Sequence, residues 1–282
     1  IWAEAHRLRA SGSDMLRAYV VGYEVWAELF SRESDQYHLK GWHPTGVFGV
    51  VGAAAAVAYL NREKLTQLQV AHALSIAASS ASGVVANFGT MTKPWHAGRA
   101  AAAAVDAVRL AEFGLTAATD ALEHRAGFLA AISPRGNVDL DRPITIGGKP
   151  RLLELGLSIK RYPVCYFGHR VIDGALALKA AHDLNAEDVE SVEVSIGAAA
   201  ASTLRNHLPG TALEAKFSIE FDVASALVAG NVGLAQLTDA FTNQSQMKAL
   251  MQKVRVRITE QSCPLDPAFS YTDSVRITTL PG

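Results

Sequence analysis

The stretch "WHPTGVFGVVGAAAAVAYL", residues 42–60, decides what kind of fold this chain can make. Its apolar run, residues 46–60, is the longest in the sequence. It falls short of the roughly 20 residues that cross a bilayer. It reads instead as a helix opening near Thr45, a good N-cap, and closing near Leu60. Alanine and glycine fill it, and small residues let helices approach closely. A tightly packed helical bundle is expected around it. Gly46, Gly49 and Gly52 are not a nucleotide loop, because no strand precedes them and their spacing fits neither phosphate fingerprint.

Outward from this stretch, residues 1–132 read as helices throughout. "SGSDMLRAYVVGYEVWAELFSR" carries Ser and Asp caps before an apolar-periodic run. A further helix follows Thr66 and is stopped by Gly83, an alanine-rich one runs from Pro94 to Gly114, and "TAATDALEHRAGFLAAIS" opens at Thr116 or Thr119. Composition then shifts. Pro, Gly and Asp concentrate in "SPRGNVDLDRPITIGGKP", residues 133–150, as in a linker. Beyond it "HRVIDGALALKAAHDL" and "FSIEFDVASALVAG" read as helices, while "VESVEVSIG", "KVRVRITEQ" and "DSVRITTL" read as strands. The expected fold is mainly α: an all-helical domain over 1–135 and a smaller α+β domain over 136–282.

The chain has 282 residues, 49% hydrophobic and 19% charged, which suits a sizeable core and excludes disorder. A net charge of −1 supplies no basic field for nucleic acid or an anionic membrane. Two cysteines, Cys165 and Cys263, make neither a disulfide framework nor a zinc cluster, and a cytoplasmic location is expected. No signal peptide is visible in "IWAEAHRLRA", which reads as a helix. The start at Ile1 and the end at "RITTLPG" both look cut, as in a piece of a longer chain.

Three stretches can carry chemistry. In "GTMTKPWHAGRAA", residues 89–101, Pro94 fits the first helical position, which puts Lys93 at the cap and His96 in the first turn. A lysine there opposes the helix dipole. It makes sense if an anion binds between its ammonium, the imidazole and the N-terminal N–H groups. The alternative is a lysine reaching solvent and a histidine that only packs. His43 precedes Thr45, and the positive end of that helix keeps an imidazole neutral and ready to accept a proton. A satisfied structural histidine is the alternative. In "SIKRYPVCYFGHR", residues 158–170, Lys160 and Arg161 stand before a rigid Tyr-Pro turn and His169 follows, a second anion clamp. Cys165 has no base beside it in the sequence and reads as an inert thiol. A metal held by His43, His96 and His169 has no ligand spacing to support it.

These segments, together with "ALSIAASSASG", "ALEHRAGFLAAIS" and "EAKFSIEFDVASALVAG", follow one another in the order seen in the MmgE/PrpD family, which the chain resembles from about residue 15 to its end. That family includes 2-methylcitrate dehydratase, cis-aconitate decarboxylase and iminodisuccinate epimerase. The resemblance implies a helical domain with a smaller α+β domain covering the active site, a homodimer, and no metal or organic cofactor. It implies a small anionic polycarboxylate substrate that loses or moves a proton beside a carboxylate. It makes His43 an acid/base, Lys93 and Lys160 catalytic cations, and His96 and His169 substrate-binding residues. It also implies an Asp/His-bearing segment upstream of Ile1. Phe221 stands where decarboxylase-type members have a tyrosine, which argues against simple transfer of that activity. The leading expectation is a lyase of the 2-methylcitrate dehydratase type. Next come an epimerase of an amino- or imino-dicarboxylate and a non-catalytic dimerising scaffold.

Overall fold

The computed structural model describes residues 1–264 and 269–281, in two compact units. Unit 1 comprises Ile1–Asn87 and Thr92–Ser158, and unit 2 comprises Phe88–Met91 and Ile159–Gly282.

Unit 1 is helical. Its elements are α1 (Trp2–Leu8), α2 (Gly12–Phe30), α3 (Pro44–Leu60), α4 (Gln67–Ser79), α5 (Thr92–Glu112), α6 (Phe128–Ile132) and α7 (Arg151–Leu155). Helix α3 packs on α2, α4 and α5. It can do so because its surface is nearly featureless. A methyl on Gly22 of α2 would lie 2.7 Å from the Gly52 carbonyl oxygen of α3, and one on Gly52 would lie 2.8 Å from that of Gly22. Backbones in such contact leave no room for a Cβ, so the glycines there set the packing distance. Phe48, Val51 and Ala54 of α3 share one buried core with Ala100, Ala104 and Ala107 of α5.

Local signals set the helix ends. Ser11 caps α2 by accepting from the Asp14 N–H, and Thr66 and Gln69 form a capping box on α4. Three expected boundaries differ. Helix α3 takes Pro44 as its first residue and His43, not Thr45, as its N-cap, because proline suits the position whose N–H is unused. Helix α5 begins at Thr92, so Lys93 lies within its first turn and His96 just beyond it. The expected helix from Thr116 shrinks to α6. Residues 120–127 turn instead, with Gly127 N–H bonded to His124 O and Phe128 N–H to Ala121 O. A methyl on Gly127 would lie 2.5 Å from Ala121 O, so the turn is as tight as glycine permits.

The proline-rich segment is held by two carboxylates of α2. Glu24 accepts from the N–H groups of Arg151 and Leu152 at 3.0 Å, capping α7. Buried Glu28 accepts from Arg32 and Arg151, each at 2.9 Å, and from the Thr145 hydroxyl at 2.6 Å. Burial pushes the Glu28 pKa up, but the bonds from Thr145 and Arg32 and the charge of Arg151 outweigh it and bring it to about 2.

Unit 2 is α+β. It contains α8 (His169–His182), β1 (Val189–Gly197), α9 (Ala198–Thr203), α10 (Ala212–Ala215), α11 (Ile219–Ala229), α12 (Asp239–Thr242), α13 (Ser245–Met251), β2 (Val254–Thr259) and β3 (Ser274–Thr279). The sheet order is β2-β1-β3, with β1 parallel to β2 (Val194 opposite Val256) and antiparallel to β3 (Val194 opposite Val275). Val192, Val194 and Ile196 alternate onto the buried face of β1. They join Ile172 of α8 and Phe221 and Leu227 of α11 in one core. Gly230 closes α11 at φ 63°, as a C-terminal glycine does. Phe88 packs its ring against Phe217, centroids 5.3 Å apart. Among the described residues no helix is long and apolar enough to cross a membrane.

Candidate active site

The site in unit 1 is built where two chain segments pair. Trp42 and Val84 form an antiparallel bridge, flanked by His43 N–H to Gly83 O at 3.0 Å and Val85 N–H to Gly41 O at 2.8 Å. This fixes the backbone of His43 at the mouth of α3. His96 arrives from α5. The two buried imidazoles meet Nδ1 to Nδ1 at 3.0 Å, so one ring donates and the other accepts. Two glycines clear the space. A methyl on Gly46 would lie 2.2 Å from Ser82 O, and one on Gly83, at φ 111°, would lie 3.1 Å from the His96 ring.

The electrostatics disfavour protonation of the imidazoles. Burial lowers the His43 pKa most, and the charges of Lys93, His96 and His38 lower it further, to about 4. Burial and then Lys93 lower His96 and His38 in the same direction. All three imidazoles are therefore neutral at pH 7. Lys93 itself is partly exposed on the first turn of α5. His38 is the residue that sequence reading missed. It lies in a 3-10 turn, Tyr37–Lys40, with no motif around it, and only its distance from His43 in the chain hinted at a role.

Lys160 and His169 lie in unit 2. Lys160 is exposed and folds back on its own turn, its Nζ donating to Val164 O at 3.0 Å. His169 opens α8 between the rings of Tyr162 and Tyr166. Burial lowers its pKa and a bond to the Val164 backbone opposes that. Its Nε2 reaches neither solvent nor a partner among the described residues. Tyr162 donates to Asp173 at 2.7 Å, which anchors the Tyr-Pro turn. Cys165, half-buried at the start of the turn before α8, is in no disulfide among the described residues. Phe221 is fully buried in the unit 2 core. Among the described residues no three His, Cys, Asp or Glu side chains are grouped to hold one metal ion.

Residues 1–141 match the MmgE/PrpD N-terminal domain and residues 162–281 match the MmgE/PrpD C-terminal domain. This chain belongs to the MmgE/PrpD family. Among curated MmgE/PrpD proteins it is similar to cis-aconitate decarboxylase of Mus musculus, 30% identical over 258 residues, which cover 87% of this chain and 51% of that protein. It is similar also to cis-aconitate decarboxylase of Homo sapiens, 29% identical over 262 residues, 90% of this chain and 53% of that one. The chain spans about half the length of these curated relatives.

Proposed function

We propose that this chain carries the proton-handling centre of a cofactor-independent lyase that acts on a di- or tricarboxylate, of the 2-methylcitrate dehydratase type. The observation that carries this reading is the neutral His43–His96 pair held beside Lys93. A C–H beside a carboxylate is a weak acid. Lys93 on that carboxylate stabilises the negative charge that grows as the proton leaves. His43 takes the proton. Burial, and then the charge of Lys93, makes His43 a poor base in the unliganded site. An anionic substrate offsets that charge and raises the basicity of His43, so binding itself prepares the base. The electron pair of the C–H bond then forms the alkene as a neighbouring hydroxyl departs. Within unit 2, Lys160 and His169 are proposed to bind a carboxylate.

The test is incubation of the full-length protein in D₂O with 2-methylcitrate, citrate and malate, followed by NMR. Deuterium exchange beside a carboxylate together with alkene formation is the expected result. Neither exchange nor turnover on any of them would reject the reading. The names of the two relatives favour decarboxylation as a second reading, and carbon dioxide release from cis-aconitate in the same experiment separates it. Inversion without elimination would instead mark an epimerase.

A further inference from the structure

Asp222 of unit 2 is a buried acid that stability does not explain. It lies in the first turn of α11, is wholly buried, and neither of its carboxyl oxygens has a hydrogen-bond partner among the described residues. The positive end of a helix favours a carboxylate by about 1 kcal/mol. Burying an acid without a partner costs more than that. A polar group left unsatisfied in a core therefore points to a role other than packing.

The acid is pressed against the start of α8, which packs on α11. A methyl on Gly168 would lie 3.2 Å from Asp222 Cγ and closer still to Oδ2, so only glycine leaves room for the carboxyl. Gly168 is the N-cap of α8, and among the described residues no side chain caps that helix. A cap usually takes its oxygen from the residue before the helix. Glycine has none to supply, and Asp222 brings a carboxyl to that residue from the neighbouring helix. The next residue is His169, the first of α8, with its ring between those of Tyr162 and Tyr166. Its buried Nε2 also has no partner among the described residues. Two polar groups without partners thus belong to one helix end, which carries the first N–H groups of α8.

We infer that Asp222 is a positioning residue for His169: its carboxyl, seated against Gly168, sets the first turn of α8 and so the direction in which the imidazole meets a bound carboxylate. The inference rests on the carboxylate-binding role proposed above for His169. Asp222 itself touches no ligand. It fixes the backbone that carries the ring, and a ring fixed before binding need not be ordered on binding.

The test uses the full-length protein as wild type, Asp222→Ala, Asp222→Asn, His169→Gln and the double variant Asp222→Ala/His169→Gln. Circular dichroism checks that each is folded. Calorimetric titration with citrate gives the affinity of each, and NMR reads the His169 imidazole protons of wild type and Asp222→Ala. Asp222→Ala is expected to shift those signals and to weaken citrate binding by about tenfold. Asp222→Asn keeps one acceptor oxygen and should lie between Asp222→Ala and wild type. The double variant should bind no more weakly than His169→Gln, because Asp222 acts only through that ring. Affinity within about twofold of wild type in Asp222→Ala overturns the inference, and so do unmoved His169 signals. Losses that add in the double variant overturn it too, since they mark a structural residue. If Asp222→Ala does not fold, Asp222→Asn takes its place in every comparison, with a loss of about threefold expected and no loss overturning the inference. Wild type that binds no citrate, or binds it as well without His169, overturns the carboxylate role of His169 and this inference together. Binding that falls in His169→Gln but not in Asp222→Ala overturns this inference alone.

Discussion

His43 and His96 share one hydrogen across 3.0 Å between their Nδ1 atoms, in a buried site beside Lys93. Protonating either ring past that state sets cation against cation in a space with little water. Neutrality of the pair is therefore a property of the folded state. It links the candidate chemistry to the stability of unit 1.

Acid should unfold unit 1 through this pair. The folded pKa of His43 is depressed from 6.5 to about 4, so the unfolded chain binds a proton more readily. Stability is complete above pH 6.5 and falls as pH drops through the window from 6.5 to about 4, by of order 3 kcal/mol for His43. His96 and His38 act in the same direction. Glu28, depressed from 4.5 to about 2, adds its loss below pH 4.5. Urea unfolding at pH 7.5, 6, 5 and 4 measures the slope, and His43→Asn should flatten it between pH 6.5 and 4.

Lys93→Ala should separate charge from structure. Removing that cation is expected to raise the pKa of His43, His38 and His96 together, as read by NMR titration of the imidazole protons. Turnover should fall by about 100-fold or more with little change in Tm. Unmoved imidazole titrations would show that Lys93 does not set the field of this site.

Two glycines of α3 should respond in opposite directions. Gly46→Ala drives a methyl to 2.2 Å from the Ser82 carbonyl oxygen, and a cost of about 3 kcal/mol is expected. Gly49→Ala meets nothing within 4 Å, and the better helix former should add up to about 1 kcal/mol. Denaturant midpoints of the two variants against wild type give the comparison.

Glu28→Ala should release the segment from Thr145 to Arg151. It leaves three arginines, Arg32, Arg142 and Arg151, without the carboxylate they surround, and a loss of about 3–5 kcal/mol is expected. Limited proteolysis should then cut within residues 139–152, where wild type resists.

Asp222 should be a liability at high pH. It is wholly buried, neither of its carboxyl oxygens has a hydrogen-bond partner among the described residues, and its pKa is pushed well above 3.8 by burial and then by Glu220. A raised carboxyl contributes its stability fully below pH 3.8 and loses it as pH climbs toward the folded pKa. Asp222→Asn should therefore gain on wild type as pH rises above 3.8. Parallel thermal unfolding of the two proteins across that range gives the difference.

What sequence alone determined were the features that act over a few residues. Caps at Ser11 and Thr66, alternation in β1, β2 and β3, and Gly230 after α11 are local physics, and all stand where the sequence places them. The proline rule worked at Pro44 and failed at Pro94, because a helix tolerates proline at any of its first positions where the N–H has no partner. Lys93, His43 and His96 were legible as separate signals. Only tertiary structure decided that His43 and His96 meet, that His38 joins their field, and that Glu28 holds a segment more than 100 positions away in the chain. These depend on which helix faces which, and that depends on where Gly22, Gly46, Gly52 and Gly83 let backbones and rings touch. A glycine in a sequence does not say what lies against it; the neighbour that fills the space of its missing Cβ comes from another part of the chain.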